Sequence, residues 1–254
     1  MARLSLEGVS RRFFGVEAVR GLTMSVPAGR VTGLIGPNGS GKTTVVNLIT
    51  GLLKLSGGRI RLEDRDIGEL PPHQVARLGV ARTFQNIRLL KEASVLDNIV
   101  VGSHRRDQTS FAAQALGLPS VRRTRAALVE RVRELLREFS MAEYAPCLAG
   151  EVSYGHQRRV EIMRALAAEP SVLLLDEPAA GMNDVEADAL GVIFRHLADR
   201  GLAVLVIEHN MQLVMSLCDE VYVLESGELI CHGTPEQVRN DPRVVEAYLG
   251  GEAC

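Results

Sequence analysis

The chain has 254 residues, of which 46% are hydrophobic and 24% charged, which suits one large folded domain and argues against disorder or a fibre. Its 29 Lys and Arg stand against 31 Asp and Glu, a net charge of -2 that gives no bulk electrostatic reason to coat nucleic acid. Its longest apolar runs, such as Leu202 to Ile207, fall far short of the roughly 18 residues of a membrane helix.

The N-terminus, Met-Ala-Arg-Leu-Ser-Leu-Glu, lacks a charged region followed by an apolar one, so no secretory leader is expected. Leu4 to Val9 reads as a first strand. Val31 to Ile35 reads as a second, and it runs into Gly36-Pro37-Asn38-Gly39-Ser40-Gly41-Lys42-Thr43. That octet fits G-x-x-x-x-G-K-[ST], and helix-like sequence follows from Thr44 to Thr50. Glycines let the backbone curl so that successive N–H groups face one anion, and the helix N-terminus adds its dipole. Lys42 is expected to neutralise the outer phosphates of a nucleotide, and the Thr43 hydroxyl to ligate Mg2+.

Ile60 to Leu62 is another short strand-like run. The stretch 86–165 is helical in character. Within it Leu128, Val132, Leu135, Leu136 and Phe139 recur at helical spacing, with Arg122, Arg123, Arg125, Arg131 and Arg133 on the other faces. This predicts an amphipathic helix with a solvated face, or a docking surface for a partner. Ser153-Tyr154-Gly155-His156-Gln157 then precedes helix-like sequence. A Ser and a Gly at a helix start make either a second phosphate grip or a simple cap.

Val172 to Asp176 is wholly apolar until its last residue, as for a parallel strand covered on both faces, and Glu177 follows. Successive strand residues point to opposite faces, so the two acids cannot share one role if the strand runs on unbroken. Asp176 suits the acid on Mg2+, and Glu177 suits a base that orients and deprotonates water. Ala203 to Glu208 reads as a similar strand, leading to His209-Asn210, where the histidine could meet a γ-phosphate. Val221 to Glu225 and Leu229 to His232, joined by Ser226-Gly227-Glu228, predict a hairpin. Cys147, Cys218, Cys231 and Cys254 have neither metal-ligand spacing nor the density of a disulfide scaffold. The expected fold is α/β, a P-loop NTPase core with a helical insert.

Taken in order, these motifs resemble the ATP-binding subunit of ABC transporters over nearly the whole chain. Gly36 to Thr43 is similar to Walker A, and Asp176 with Glu177 to Walker B and its catalytic acid. Gln85, in Arg82-Thr-Phe-Gln85, resembles the Q-loop glutamine that touches Mg2+ and water. Ser153 to Gln157 resembles the signature motif, with Ser153 and Gly155 retained but Tyr154 and His156 departing from Leu-Ser-Gly-Gly-Gln. Ala180 to Asn183 resembles the D-loop, with Asn183 where Asp is usual, and His209 resembles the switch histidine. Phe14 resembles the aromatic that stacks on adenine, with Phe13 or a purely core phenylalanine as alternatives.

The resemblance implies one domain over 1–254: an α/β core with an antiparallel β subdomain at 1–85 and 151–235, a helical subdomain at 86–150, and a tail at 236–254. It implies ATP and Mg2+ and a second ATPase chain, self or paralogue. It also implies two membrane permeases, an indirectly acting solute-binding protein, and a peripheral place on the cytoplasmic face of the cell membrane. Asp-Glu-Pro-Ala-Ala-Gly-Met-Asn, Ile-Glu-His-Asn-Met and Gly233-Thr-Pro-Glu-Gln-Val point within the family to importers of branched-chain amino acids. ATPases for urea or short amides, for lipopolysaccharide export, or in soluble non-transport roles are the alternatives. A small-molecule kinase would leave the Ser153 segment and His209 without a job.

Overall fold

The computed structural model describes residues 2–83, 87–103 and 119–249. The chain divides into two compact units: Met1–Arg82, Ser171–Ala180 and Asp184–Cys254 form one, and Thr83–Pro170 with Gly181–Asn183 the other.

Among the described residues the first unit carries two sheets. The antiparallel one has the order β2-β1-β4-β5, from β1 (Ala2–Phe13), β2 (Val16–Pro27), β4 (Gly57–Leu62) and β5 (Arg65–Asp66). The other has the order β10-β9-β3-β8-β7-β6. Its strands are β3 (Val31–Ile35), β6 (Val80–Arg82), β7 (Val172–Asp176), β8 (Ala203–Ile207), β9 (Glu220–Glu225) and β10 (Glu228–Gly233). The strands from β6 to β9 in this second sheet are parallel neighbours, and only β10 runs against its partner.

Every position of β3, β7 and β8 is buried, which is why these strands read as continuous apolar runs. The β9–β10 hairpin turns through Ser226 (φ 48°) and Gly227 (φ 85°), two left-handed residues whose twist matches that of the strands. Strand β2 escapes the sequence pattern for a physical reason. Gly8 (φ 60°) and Gly21 (φ 56°) sit where the β1–β2 register shifts, so Val19 and Leu22 are both buried although three residues apart.

Leu4, Leu6 and Ile60 of one sheet and Leu34, Leu174 and Leu205 of the other share a core with Val45, Val46 and Ile49 of helix α1 (Lys42–Ile49). Each such side chain contributes about 1.5–3 kcal/mol by leaving water. Helices α2 (Pro72–Leu78), α6 (Asp184–Asp199), α7 (Met211–Leu217), α8 (Pro235–Arg239) and α9 (Pro242–Leu249) complete this unit.

The second unit contains α3 (Val95–Gly102), α4 (Pro119–Glu138) and α5 (Tyr154–Leu166). The predicted amphipathic helix is α4, with Val132, Leu135 and Leu136 buried, Phe139 buried just beyond it, and Arg123, Arg125, Arg131 and Arg133 exposed. Arg158 and Glu161 on α5 form a buried ion pair at 2.7 Å. Cys218 and Cys231 are buried free thiols and Cys147 is half-buried, while Cys254 lies outside the described residues. No helix among the described residues is long and apolar enough to cross a membrane.

Candidate functional site

Residues 36–41 leave β3 as a loop and turn into α1 at Lys42. Two of the glycines are required by space as well as by angle. A Cβ on Gly36 (φ 146°) would lie 2.0 Å from the Leu224 carbonyl oxygen, and one on Gly41 (φ 105°) 2.5 Å from that of Ala18. Lys42 Nζ donates to the carbonyl oxygens of Gly36 (2.7 Å) and Pro37 (2.8 Å) and to Ser40 Oγ (3.3 Å). Burial pushes the Lys42 ammonium below the usual lysine range, while the carboxylates of Glu177 and Asp176 pull it back up. The loop lysine and both strand-end acids thus share one electrostatic environment.

Asp176 closes β7 and is nearly buried, its Oδ2 accepting from Arg82 at 2.8 Å. The same guanidinium donates to Asn47 Oδ1 at 2.6 Å, a half-buried residue of α1 one turn beyond Thr43. The strand does not run on to Glu177. That residue takes φ 48°, a left-handed angle costing about 1–3 kcal/mol for a non-glycine. Its N–H donates to the Ile207 carbonyl at 2.8 Å. The break in the strand frees Glu177 from the alternation rule, and its Oε1 comes to 3.8 Å from Nδ1 of His209, which is 64% exposed.

β8 stops at Ile207, one residue short of the expected strand end, because Glu208 turns its carboxylate inward to accept backbone N–H groups. Phe14 sits at the β1–β2 turn with φ 45° and is fully exposed, so it is no core residue. Phe13 is half-buried beneath the Arg11 guanidinium, 4.5 Å above its ring. Gln85 lies outside the described residues.

Within the second unit, Ser153 is the N-cap of α5, its Oγ accepting from His156 N at 3.3 Å. The signature departures have local partners. His156 packs its ring on Tyr144, with centroids 4.3 Å apart. A Cβ on Gly181 would lie 2.8 Å from Tyr154 Cε1, so the large ring in the Ser153 segment is accommodated by a glycine in the Ala180–Asn183 segment. Neither contact was foreseeable from local spacing.

A glycine loop on a helix N-terminus, a lysine within it, and a strand-end acid pair beside a histidine define a P-loop nucleotide hydrolase. The comparisons sharpen this. A family model described as ABC transporter matches residues 19–180, and one described as branched-chain amino acid ATP-binding cassette transporter matches 228–254. The high-affinity branched-chain amino acid transport ATP-binding protein BraF of Pseudomonas aeruginosa is 44% identical over 97% of both chains. LivG of Escherichia coli, described in the same words, is 42% identical over 97% of both. The lipopolysaccharide export ATP-binding protein LptB of Escherichia coli is more distant, at 34% over 98% of both. The solved ADP conformation of MJ1267, an ATP-binding cassette of an ABC transporter, superposes with a TM-score of 0.86 at 34% identity, covering 98% of this chain and 99% of that one. The chain belongs to the ATP-binding subunits of ABC transporters, and it is a nucleotide-binding ATPase.

Proposed function

We propose that this chain powers an importer of branched-chain amino acids by hydrolysing ATP. The observation that carries the solute class is the match of residues 228–254 to the branched-chain amino acid family model. The higher identity to BraF and LivG than to LptB supports the same choice.

The residues divide the chemistry as follows. The loop N–H groups of 36–41 and Lys42 hold the phosphates, and Phe14 stacks on adenine. The oxygen donors Thr43 and Asp176 suit Mg2+, a hard cation, and Asp176 stands beside a guanidinium that keeps it in place. Mg2+ held there would neutralise charge on the β- and γ-phosphates. Gln85 is proposed to complete that set. Glu177 orients and deprotonates the attacking water, and His209 holds the γ-phosphate. Ser153 and Gly155 of a second ATPase chain would close over the nucleotide, excluding water and strengthening each charge contact. In this reading the subunit is peripheral on the cytoplasmic face of the membrane, docked on two permeases.

Two measurements test it. Glu177→Gln keeps shape and loses the base, so turnover should fall about 100-fold or more while ATP is retained. The variant should then run as an ATP-bound dimer by size exclusion with light scattering. A variant that binds ATP yet stays monomeric would count against a self-dimer. Reconstitution with the permease pair of a branched-chain amino acid importer should give ATP-dependent uptake of leucine, isoleucine and valine. Uptake of urea instead would overturn the solute assignment.

A further inference from the structure

We infer that Glu208 is a positioning residue that locks the catalytic acid and the histidine into one unit; this rests on the roles proposed for Glu177 and His209. Neither the motif pattern nor the family resemblance gives Glu208 a task, yet it is 1% exposed and sits between the two loops that carry those groups.

Its carboxylate accepts three backbone N–H groups from two separate segments. Oε1 accepts from Ala179 N at 3.0 Å, in the loop after β7. Oε2 accepts from His209 N at 3.2 Å and Asn210 N at 3.5 Å, in the loop after β8. A carboxylate offers about four acceptor positions and no donor, so a side chain surrounded by N–H groups needs this residue type rather than an amide. Hydrogen bonds to an ionised acceptor are about twice as strong as neutral ones.

The position in the ladder explains the effect. β7 and β8 pair in register up to Asp176 opposite Ile207, and the Glu177 N–H makes the last backbone bond, to the Ile207 carbonyl. Beyond that point the strands part. The Glu208 side chain supplies the next cross-connection, to Ala179, so Glu177 is tied down on both sides. Glu177 has φ 48°, and such a backbone persists only where its surroundings over-determine it. On the other side, the same carboxylate fixes the amide of His209, whose Nδ1 stands 3.8 Å from Glu177 Oε1. A shift in either loop would change that separation, and misplacement by about 1 Å can cost about 100-fold in rate. Glu208 touches no reacting atom in this scheme; it holds the geometry in which the other two act.

The test compares Glu208→Gln, Glu177→Gln, His209→Ala and the double variant Glu208→Gln/His209→Ala in the full-length chain, with mant-ATP as the binding probe. Gln places an NH2 donor against a backbone N–H, so one loop must let go. The expected result for Glu208→Gln is a turnover lower by about 30-fold, with KM for ATP and mant-ATP affinity within about threefold of wild type. The double variant should lose less than the product of the two single losses, because both act on one geometry. A merely structural Glu208 would lower thermal stability, ATP affinity and turnover together, and its loss would multiply with that of His209→Ala; that pattern overturns the inference. Wild-type turnover in Glu208→Gln alongside slow Glu177→Gln and His209→Ala removes the Glu208 role and leaves the proposed chemistry standing. Wild-type turnover in all three removes both. If Glu208→Gln does not unfold cooperatively, Glu208→Asp replaces it, keeping the charge on a side chain one methylene shorter. Slow turnover with unchanged KM in that variant supports the bridge, and wild-type turnover refutes it.

Discussion

The two regions proposed to meet phosphate, the loop at 36–43 with its acids and the Ser153 segment, are built differently. In the first unit several site groups are held by named partners. Lys42 has three acceptors, Asp176 is fixed by Arg82, and Glu208 ties two loops. In the second unit Ser153 has a capping bond to His156 N, and Tyr154 beside it is 47% exposed. The first region is organised by interactions within its own unit. The second presents Ser153 and Tyr154 outward at a helix start, which the second-chain contact proposed above would need. Dense bonding thus lies where charge must be placed, and an open surface where the proposed second chain would dock.

The sharpest way to break this contrast is Lys42→Ala. Removing the cation from the organised region should lower ATP hydrolysis by about 1000-fold while circular dichroism and thermal unfolding stay near wild type. Turnover within tenfold of wild type in a folded variant would mean that the loop N–H groups alone hold the phosphates. A smaller effect is expected at the edge of the same region. Phe14→Ala removes a fully exposed ring, so stability should not change, and mant-ATP should bind about fivefold more weakly through lost stacking. Unchanged affinity would transfer the adenine contact to another residue. The smallest effect belongs to the open region. Ser153→Ala should cost about 1 kcal/mol of stability through the lost cap, seen by denaturant unfolding, and leave ATP affinity of the isolated chain unchanged. Weaker binding by the isolated chain would place Ser153 on the nucleotide of its own subunit.

The glycine loop was legible because its chemistry is local: a tight backbone curve, a lysine and a hydroxyl at fixed spacing. β3, β7 and β8 were legible because burial on both faces removes polar residues. The hairpin was legible from Ser226-Gly227. What stayed hidden depends on partners far away in sequence. The alternation argument that separates Asp176 from Glu177 does not apply, because the strand breaks at a left-handed Glu177, a turn the sequence does not display. Glu208 looked like the end of a strand because only the β7–β8 register brings Ala179 within its reach. Tyr154 reads in sequence only as a departure from the usual signature, and its accommodation against Gly181 requires knowing that two loops meet. β2 was missed because a bulge at Gly21 breaks its alternation.

The P-loop is shaped by backbone far away in sequence. The Leu224 carbonyl sits where a Gly36 Cβ would be, Gly227 N donates to the Ser40 carbonyl at 3.1 Å, and β9 pairs beside β3. On a ribosome, which extrudes the chain from its N-terminus, the motif at 36–43 emerges early but lacks the backbone against which it settles. That backbone arrives only with residues 220–227. A polypeptide that lacks the β9–β10 hairpin carries an intact motif without the backbone that shapes it.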